Sequence, residues 1–447
     1  MAMGKHGGDE QRSLFIRSSD LRSSPGHPFY QRLNRLLAEH GFDRFAEERC
    51  ARFYAATMGR PSLPPGVYFR MLMVGVFEGL GSERGIAWRC ADSRSLGEFL
   101  GFGPTEATPD HTTLSKIRQR LDVEAHREVF GWVLALLAEH GVVKGSTLGV
   151  DSSTLEANAA MRSIVARADG QSYEAFLAEL ARSSGIATPS RADCARLDKR
   201  RPKKGSNDDW THPHDPDARI TRMKDGRTHL AHKVEHAVDL DGGAIVGVTV
   251  QPADRGDTTS VFETLTEAVE QLQEAVPDGA AQAVVLDKGF HSDDVLVSLA
   301  EVDLTGYVSE PQRPRRRWRG RAEAQRAVYA NRRRIQGRRG KALLARRGEL
   351  VERSFAHAYE TGGLRRLFVR GRDEITKRVL GAALTVNLML LMRTLHGVGT
   401  PRGLQGRLLR ALETSLHALI HLVSHTLGPI AGPLDECGTP TRQAAAA

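Results

Sequence analysis

The sequence predicts an α/β protein, with a mixed sheet flanked by helices and preceded by an all-helical region. Three observations carry this. Apolar residues recur at helical spacing before residue 140, as in Phe29, Leu33, Leu36 and Leu37, and again in Tyr68, Leu72, Val76 and Leu80. Beyond that point, short β-branched runs alternate with helix-length amphipathic segments. Two of the apolar runs end in a carboxylate: Leu148-Gly149-Val150 leads to Asp151, and Val284-Val285-Leu286 leads to Asp287. Strand ends of α/β sheets are where ligands gather.

In chain order, residues 1–25 read as a flexible lead, polar and Gly-rich at its start, with no signal peptide. Ser82 is placed to cap a short helix opening at Glu83. Thr108-Pro109-Asp110-His111 precedes a helix over 112–121 that displays Lys116, Arg118 and Arg120. The two together resemble a helix-turn-helix pair that contacts DNA. An ordinary bundle with a solvated basic face has the same pattern. A helix over 123–139 leads into the strand ending at Asp151. Helices are expected over 154–168 and 173–182. Residues 183–212, with the basic run Lys199-Arg200-Arg201-Pro202-Lys203-Lys204, read as an exposed insertion, partly disordered when alone. Strands over 232–237 and 245–250 flank the turn Asp239-Leu240-Asp241-Gly242-Gly243. A helix over 258–274, a strand over 283–286, a helix over 292–300 and a strand over 305–308 complete the sheet. Two apolar segments come later, 379–392 and 412–427. The first is too short to span a bilayer and the second carries Glu413 and three histidines, so both read as core helices.

The formal net charge of +9 over 447 residues favours a polyanionic partner and ample length for two or three domains. The four cysteines, Cys50, Cys90, Cys194 and Cys437, lack metal-ligand spacing, which points to a reduced cytoplasmic setting. From 311 to 347 the only acid is Glu323, among Arg313, Arg315, Arg316, Arg317, Arg319, Arg332, Arg333, Arg334, Arg338, Arg339 and Lys341. Such a run repels itself unless phosphates compensate it, so DNA backbone contact is the expectation. Trp318 either stacks on an unpaired base or packs against the protein.

A third carboxylate, Glu352, lies in the helical stretch Leu350-Val351-Glu352-Arg353-Ser354-Phe355. Singly, each of the three acids is more often a cap or a turn residue. Jointly, two strand-tip aspartates and a helical glutamate in basic surroundings suit a pair of magnesium ions and phosphoryl transfer on DNA.

At these residues a resemblance becomes specific. Gly149-Val150-Asp151-Ser152-Ser153-Thr154-Leu155-Glu156-Ala157-Asn158-Ala159, Asp287-Lys288-Gly289-Phe290 and Val351-Glu352-Arg353-Ser354-Phe355 resemble the three catalytic blocks of bacterial insertion-sequence DDE transposases. Asp215-Pro216-Asp217-Ala218-Arg219, Gly362-Gly363-Leu364-Arg365-Arg366 and Asn387-Leu388 resemble further parts of them. The resemblance implies an RNase H-like core, with Asp151, Asp287 and Glu352 as catalytic residues and ligands of two Mg2+ ions, for which Mn2+ substitutes. It also implies cleavage at the terminal inverted repeats of the element and strand transfer into target DNA, in a homodimer on DNA and away from membranes. One branch of the family brackets its glutamate with a tyrosine, an arginine and a lysine. Here Gly348 stands in the arginine's place and Tyr359 lies seven residues after Glu352, with only Arg353 adjacent. That branch's terminal-phosphate contacts and hairpin pathway are therefore not carried over. Glu349 and Glu360 compete with Glu352.

The resulting division is a helical DNA-binding domain over 26–143, a catalytic domain over 144–395 with basic insertions at 183–212 and 311–347, and a C-terminal helix and tail over 396–447. Two other readings stand beside transposition: a structure-selective nuclease that cuts without joining, and a DNA-binding remnant that has lost activity.

Overall fold

The computed structural model describes residues 26–55, 59, 62–201, 205–223, 225–276, 279–312, 314 and 316–404. The expectations for the lead 1–25, for Arg313 and Arg315, for Pro202, Lys203 and Lys204, for the helix at 412–427 and for Cys437 lie outside the described residues. Contacts divide the chain into a unit up to Thr400 and a second from Pro401 to Ala447. The sheet and the helices around it belong to the first.

Strand β1 (Thr147–Glu156) is paired on both edges. Antiparallel to it runs β5 (Thr228–Asp239), in register from Leu148↔Asp239 to Glu156↔Ala231. Parallel to it runs β7 (Ala283–Leu286), from Thr147↔Ala283 to Val150↔Leu286. β8 (Thr305–Val308) is parallel to β7, and β6 (Ile245–Pro252) is antiparallel to β5. The resulting order is β6-β5-β1-β7-β8, with three antiparallel strands followed by two parallel ones, a mixed sheet as expected. The short β4 (Arg219–Arg222) extends the sheet beside the free end of β5. Apart from this sheet, β2 (Val165–Ala166) and β3 (Trp210–Thr211) form a two-stranded antiparallel ribbon. The β5–β6 turn is the expected one, with Gly243 at φ +87°.

Both flanks of the sheet are closed by an asparagine. Asn387 on α14 (Arg372–His396) accepts from the Ile245 amide at 2.9 Å and donates to the Ile245 carbonyl at 2.8 Å. Asn331 on α12 (Ala322–Gln336) makes the same pair of bonds with Val308, at 2.9 and 2.8 Å. A carboxamide carries one donor and one acceptor group, as a peptide unit does, so each side chain stands in for a neighbouring strand at an otherwise unpaired position.

The helical region comprises α1 (Pro28–Glu39), α2 (Phe42–Cys50), α3 (Pro65–Glu78), α4 (Glu83–Asp92), α5 (Arg94–Phe99), α6 (His111–Arg120) and α7 (Val123–Glu139). Ser82, Ser93, Asp110 and Asp122 cap α4 to α7, each accepting from the third backbone amide of its helix. α14 joins this region to the sheet, packing on α3, α7 and β6 with buried residues all round its circumference. By length and composition it is long enough to cross a membrane, yet nearly all of its apolar window is buried in the protein, as befits a core helix.

Two sequence expectations are corrected, and two segments left open by the sequence take definite form. The helix expected over 154–168 does not form, because β1 continues to Glu156 on the β5 ladder. Asp151 therefore sits within β1, at the point where pairing with β7 stops. Where described, the insertion at 183–212 contains the helix α9 (Arg191–Arg200), none of whose residues is buried. Just before it, the expected helix α8 (Tyr173–Ser183) packs Tyr173 and Phe176 against a small core of Ala157, Ile164, Trp210, Ala218 and Leu230. The basic stretch 311–347 is mostly two helices, α12 and the start of α13 (Arg338–Ala356). α4 and α6 do not form a simple helix-turn-helix, since α5 intervenes.

Replacing Asn331 or Asn387 by Leu strands two buried backbone groups, and each change is expected to lower stability by about 2–4 kcal/mol. Urea unfolding midpoints measure this. A loss under about 1 kcal/mol would show that the bonds hold nothing in place.

Candidate active site

Parallel pairing sets Val150 opposite Leu286, and an aspartate follows on each side, Asp151 within β1 and Asp287 just past the end of β7. Arg347 reaches both from α13. Its Nη2 lies 2.7 Å from the Asp151 carboxylate and its Nη1 3.9 Å from that of Asp287. The arginine side chain is only 9% exposed, against 26% for Asp151 and 43% for Asp287. Gly149 permits this approach: a Cβ there would stand 2.7 Å from Leu240 Cδ2 and 3.1 Å from Arg347 Cγ. Burial pushes the Asp151 carboxyl up from its ordinary value. Arg347 opposes the shift, and the charges of Asp287 and Asp257 add to it.

Asp257, at the start of α10 (Asp257–Ala275), was not singled out in the sequence. Its Oδ1 accepts from Ser152 Oγ at 3.0 Å and from Lys233 Nζ at 2.6 Å. Gly289 makes room for it, since a Cβ there would lie 2.7 Å from Asp257 Oδ2. Beneath it, Lys233 also pairs with the fully buried Glu235 at 2.9 Å, and Ser260 and Thr264 donate to that carboxylate. The signal was present in the sequence: charged Lys233 and Glu235 interrupt a run that otherwise reads as a strand. Buried charges of this kind persist only when paired.

α13 is docked by aromatic stacking. The His236 ring, opposite Asp151 in the sheet, lies 4.1 Å from the Phe355 ring at an interplanar angle of 10°, and its Nδ1 is 3.0 Å from Ser354 Oγ. Glu352 projects from the same helix, exposed, with no hydrogen bond or ion pair among the described residues. Its two competitors are engaged: Glu349 pairs with Arg353, and Glu360 with Arg365 at 2.6 Å. Tyr359 packs against Phe355, with ring centroids 5.4 Å apart. The structure thus joins Asp151 and Asp287 through one cation, and no contact joins Glu352 to them.

Among the described residues no three His, Cys, Asp or Glu side chains stand close enough to hold a metal ion. The donor set nevertheless suits magnesium. That ion needs hard oxygens from only one or two carboxylates, with substrate phosphate and water supplying the rest. Two such carboxylates follow the last β1–β7 pair and already share a cation.

The basic residues divide into two groups. Lys116, Arg317 and Arg333 are exposed, as is Arg353 beside Glu349. Arg120 is exposed but bonds Ser62 at 3.0 Å and lies over the Tyr54 ring. Arg118 faces inward, buried against Glu83 and Glu374, which corrects the basic face expected of its helix. Arg316 pairs with Asp293 and Arg332 with Glu310 at 2.6 Å, while Arg334 donates to the Gly306 carbonyl at 2.8 Å. Protein acids and carbonyls thus compensate part of a run that the sequence assigned to phosphate. Trp318 is half-buried, 6.2 Å from the Tyr329 ring and beneath Arg316.

Two family models match the chain: a transposase domain (DUF772) over residues 17–120 and a transposase DDE domain over 206–388. The second match begins after Asp151, includes Asp287 and Glu352, and ends one residue past Asn387. No curated protein matches the sequence. Among solved structures, a piggyBac transposase synaptic complex with hairpin DNA, determined by cryo-EM, aligns with 64% of this chain at 11% identity and a TM-score of 0.24. This chain spans about half of that one, 52%. So slight a likeness carries no argument.

His236 and His126 are held neutral. Burial lowers them from 6.5 to about 3 and about 4, respectively. Their contribution is complete above pH 6.5 and is lost as pH falls toward those values. The thermal midpoint is expected to drop between pH 7 and about pH 5, and to drop less in His236→Phe, which keeps the stack without the titrating nitrogens. Equal pH dependence in the two proteins would remove His236 from this account.

Proposed function

Because the chain belongs to the DDE transposases of insertion sequences, we propose that it cuts DNA at the terminal inverted repeats of its element. The freed 3′-hydroxyls are then joined to target DNA at the same site. The observation that carries this reading is the pair Asp151 and Asp287, each following the last paired residue of two parallel strands, around the buried guanidinium of Arg347.

Asp151, Asp287 and Glu352 would hold Mg2+, with Mn2+ as a substitute. When bound, such ions lower the pKa of a water and stabilise the leaving oxygen. Asp151 is suited to this because its carboxyl is raised by burial and gains from any added positive charge. Glu352, exposed and unpaired among the described residues, is free to turn toward the aspartates, whereas Glu349 and Glu360 are tied to arginines. Arg347 holds the two aspartates at their spacing and is placed to donate to a phosphate oxygen as DNA arrives.

Exposed Lys116, Arg317, Arg333 and Arg353 are assigned to the DNA backbone. Such contacts orient the duplex without reading its sequence. Recognition of the repeats is assigned to the N-terminal helices. Two ends must be brought together, so a homodimer on DNA is part of the proposal, acting in the bacterial cytoplasm at the nucleoid.

Asp151→Asn is expected to abolish nicking of labelled element ends while binding to those ends stays within about twofold, a change well under 1 kcal/mol. Residual nicking would remove Asp151 from the reaction. A strand-transfer assay on pre-cleaved ends separates joining from simple cutting; if cleavage occurs but joining does not, the protein is a nuclease. Glu352→Gln is expected to lose cleavage with stability unchanged to within about 0.5 kcal/mol, because an exposed, unpaired side chain is lost. Glu349→Gln and Glu360→Gln keep cleavage. If either of those inactivates instead, the third acid has been misassigned.

A further inference from the structure

Away from Asp151, a cavity of about 200 Å³ lies between the helical region and the segment leading into α14. A single water occupies on the order of 10–15 Å³ measured this way, so the space admits something much larger. Its lining includes Arg118, Lys377 and Arg378, with Arg366 and the half-exposed Phe368 also contributing.

The charges around it do not balance. Arg118 pairs with Glu83 at 2.6 Å and also with Glu374, and Lys377 pairs with Glu374 at 2.6 Å. Arg378, only 9% exposed, makes no direct ion pair among the described residues, with Glu83 acting on it from farther off. It donates to two carbonyls, Leu80 at 2.9 Å and Gly81 at 3.4 Å. Four cations thus line the cavity with one acid, Glu83, while Glu374, Asp373 and Asp122 act on Arg118 and Lys377 from outside the lining. A buried charge without a directly paired counter-ion is unfavourable, and burial pulls the Arg378 guanidinium below its ordinary value; Arg118 adds to this, while Tyr68 and Glu83 oppose it. The three buried cations come from α6 and α14, helices far apart in sequence, so the excess is assembled by the fold. Capping the carbonyls just beyond α3 accounts for part of Arg378, but a neutral donor would suffice for that.

We propose that this cavity is a binding site for a phosphate group, held by Arg378 and Arg366 with Arg118 and Lys377 behind them. Tetrahedral oxyanions suit guanidinium forks, and the cavity has room for one with its water. Two sources have this chemistry: a backbone phosphate of bound DNA, which would rest on the function proposed above, and a free phosphate, which would not.

Inorganic phosphate is the probe, used with the full-length protein. At matched ionic strength, phosphate is expected to raise the thermal midpoint above its value in chloride, as a ligand of the folded state does. Arg378→Gln keeps a donor for the Leu80 and Gly81 carbonyls but removes the charge, and is expected to weaken phosphate binding about tenfold or more. Arg366→Gln, at an exposed position, is expected to weaken it as well and guards against a folding defect in the first variant. Equal midpoints in phosphate and chloride, or an undiminished shift in both variants, overturns the proposal. If the phosphate belongs to DNA, both variants also bind duplex ends less tightly and free phosphate competes with duplex. If it is free, duplex binding is unaffected while phosphate binding is lost. Asp151→Asn should retain the phosphate shift, so failure of the cleavage reading and failure of this site are separately visible.

Discussion

β1 is the strand with a neighbour of each polarity on its two edges, antiparallel β5 and parallel β7. That double pairing is the constraint on which the site depends. Parallel pairing with β7 ends at Val150, and the next residue on each side carries an acid. Two adjacent carboxylates repel each other and resist burial. The fold answers with one guanidinium, brought in on α13 across the bare backbone of Gly149. The histidine stack that docks α13, the glycine that admits it and the buried lysine–glutamate pair beneath Asp257 all serve to keep that geometry.

Much of this was legible in the chain. Strands β5 to β8, helices α7, α10, α11 (Asp293–Glu301) and α14, and the β5–β6 turn appear within a few residues of where periodicity and turn chemistry place them. Local patterns decide such elements, because side-chain alternation and caps act over a turn or two. The misread segment, 154–168, has Thr154, Leu155 and Glu156 followed by alanines, a composition compatible with either state. Pairing with β5, some eighty residues away, decided the first part of it. No local signal carries that information.

The site divides along the same line. The aspartates were legible because a strand end followed by an acid is a local pattern. Arg347 was hidden in a run of arginines that all look alike, and only the three-dimensional arrangement separates the buried one from its exposed neighbours. Arg118, Arg316 and Arg332 show the converse. A density of positive charge in sequence overstates the charge available at the surface, since Glu83, Asp293 and Glu310 take part of it inward. Surface charge is set by pairing as well as by composition.

The guanidinium between Asp151 and Asp287 has a consequence for how this protein comes into being. Small zinc domains remain unfolded until their ion arrives, because nothing else balances their ligands. Here the balancing charge is encoded in the polypeptide. A newly made chain can therefore complete its core with this charge already in place, and its fold does not depend on a divalent ion to balance the two aspartates.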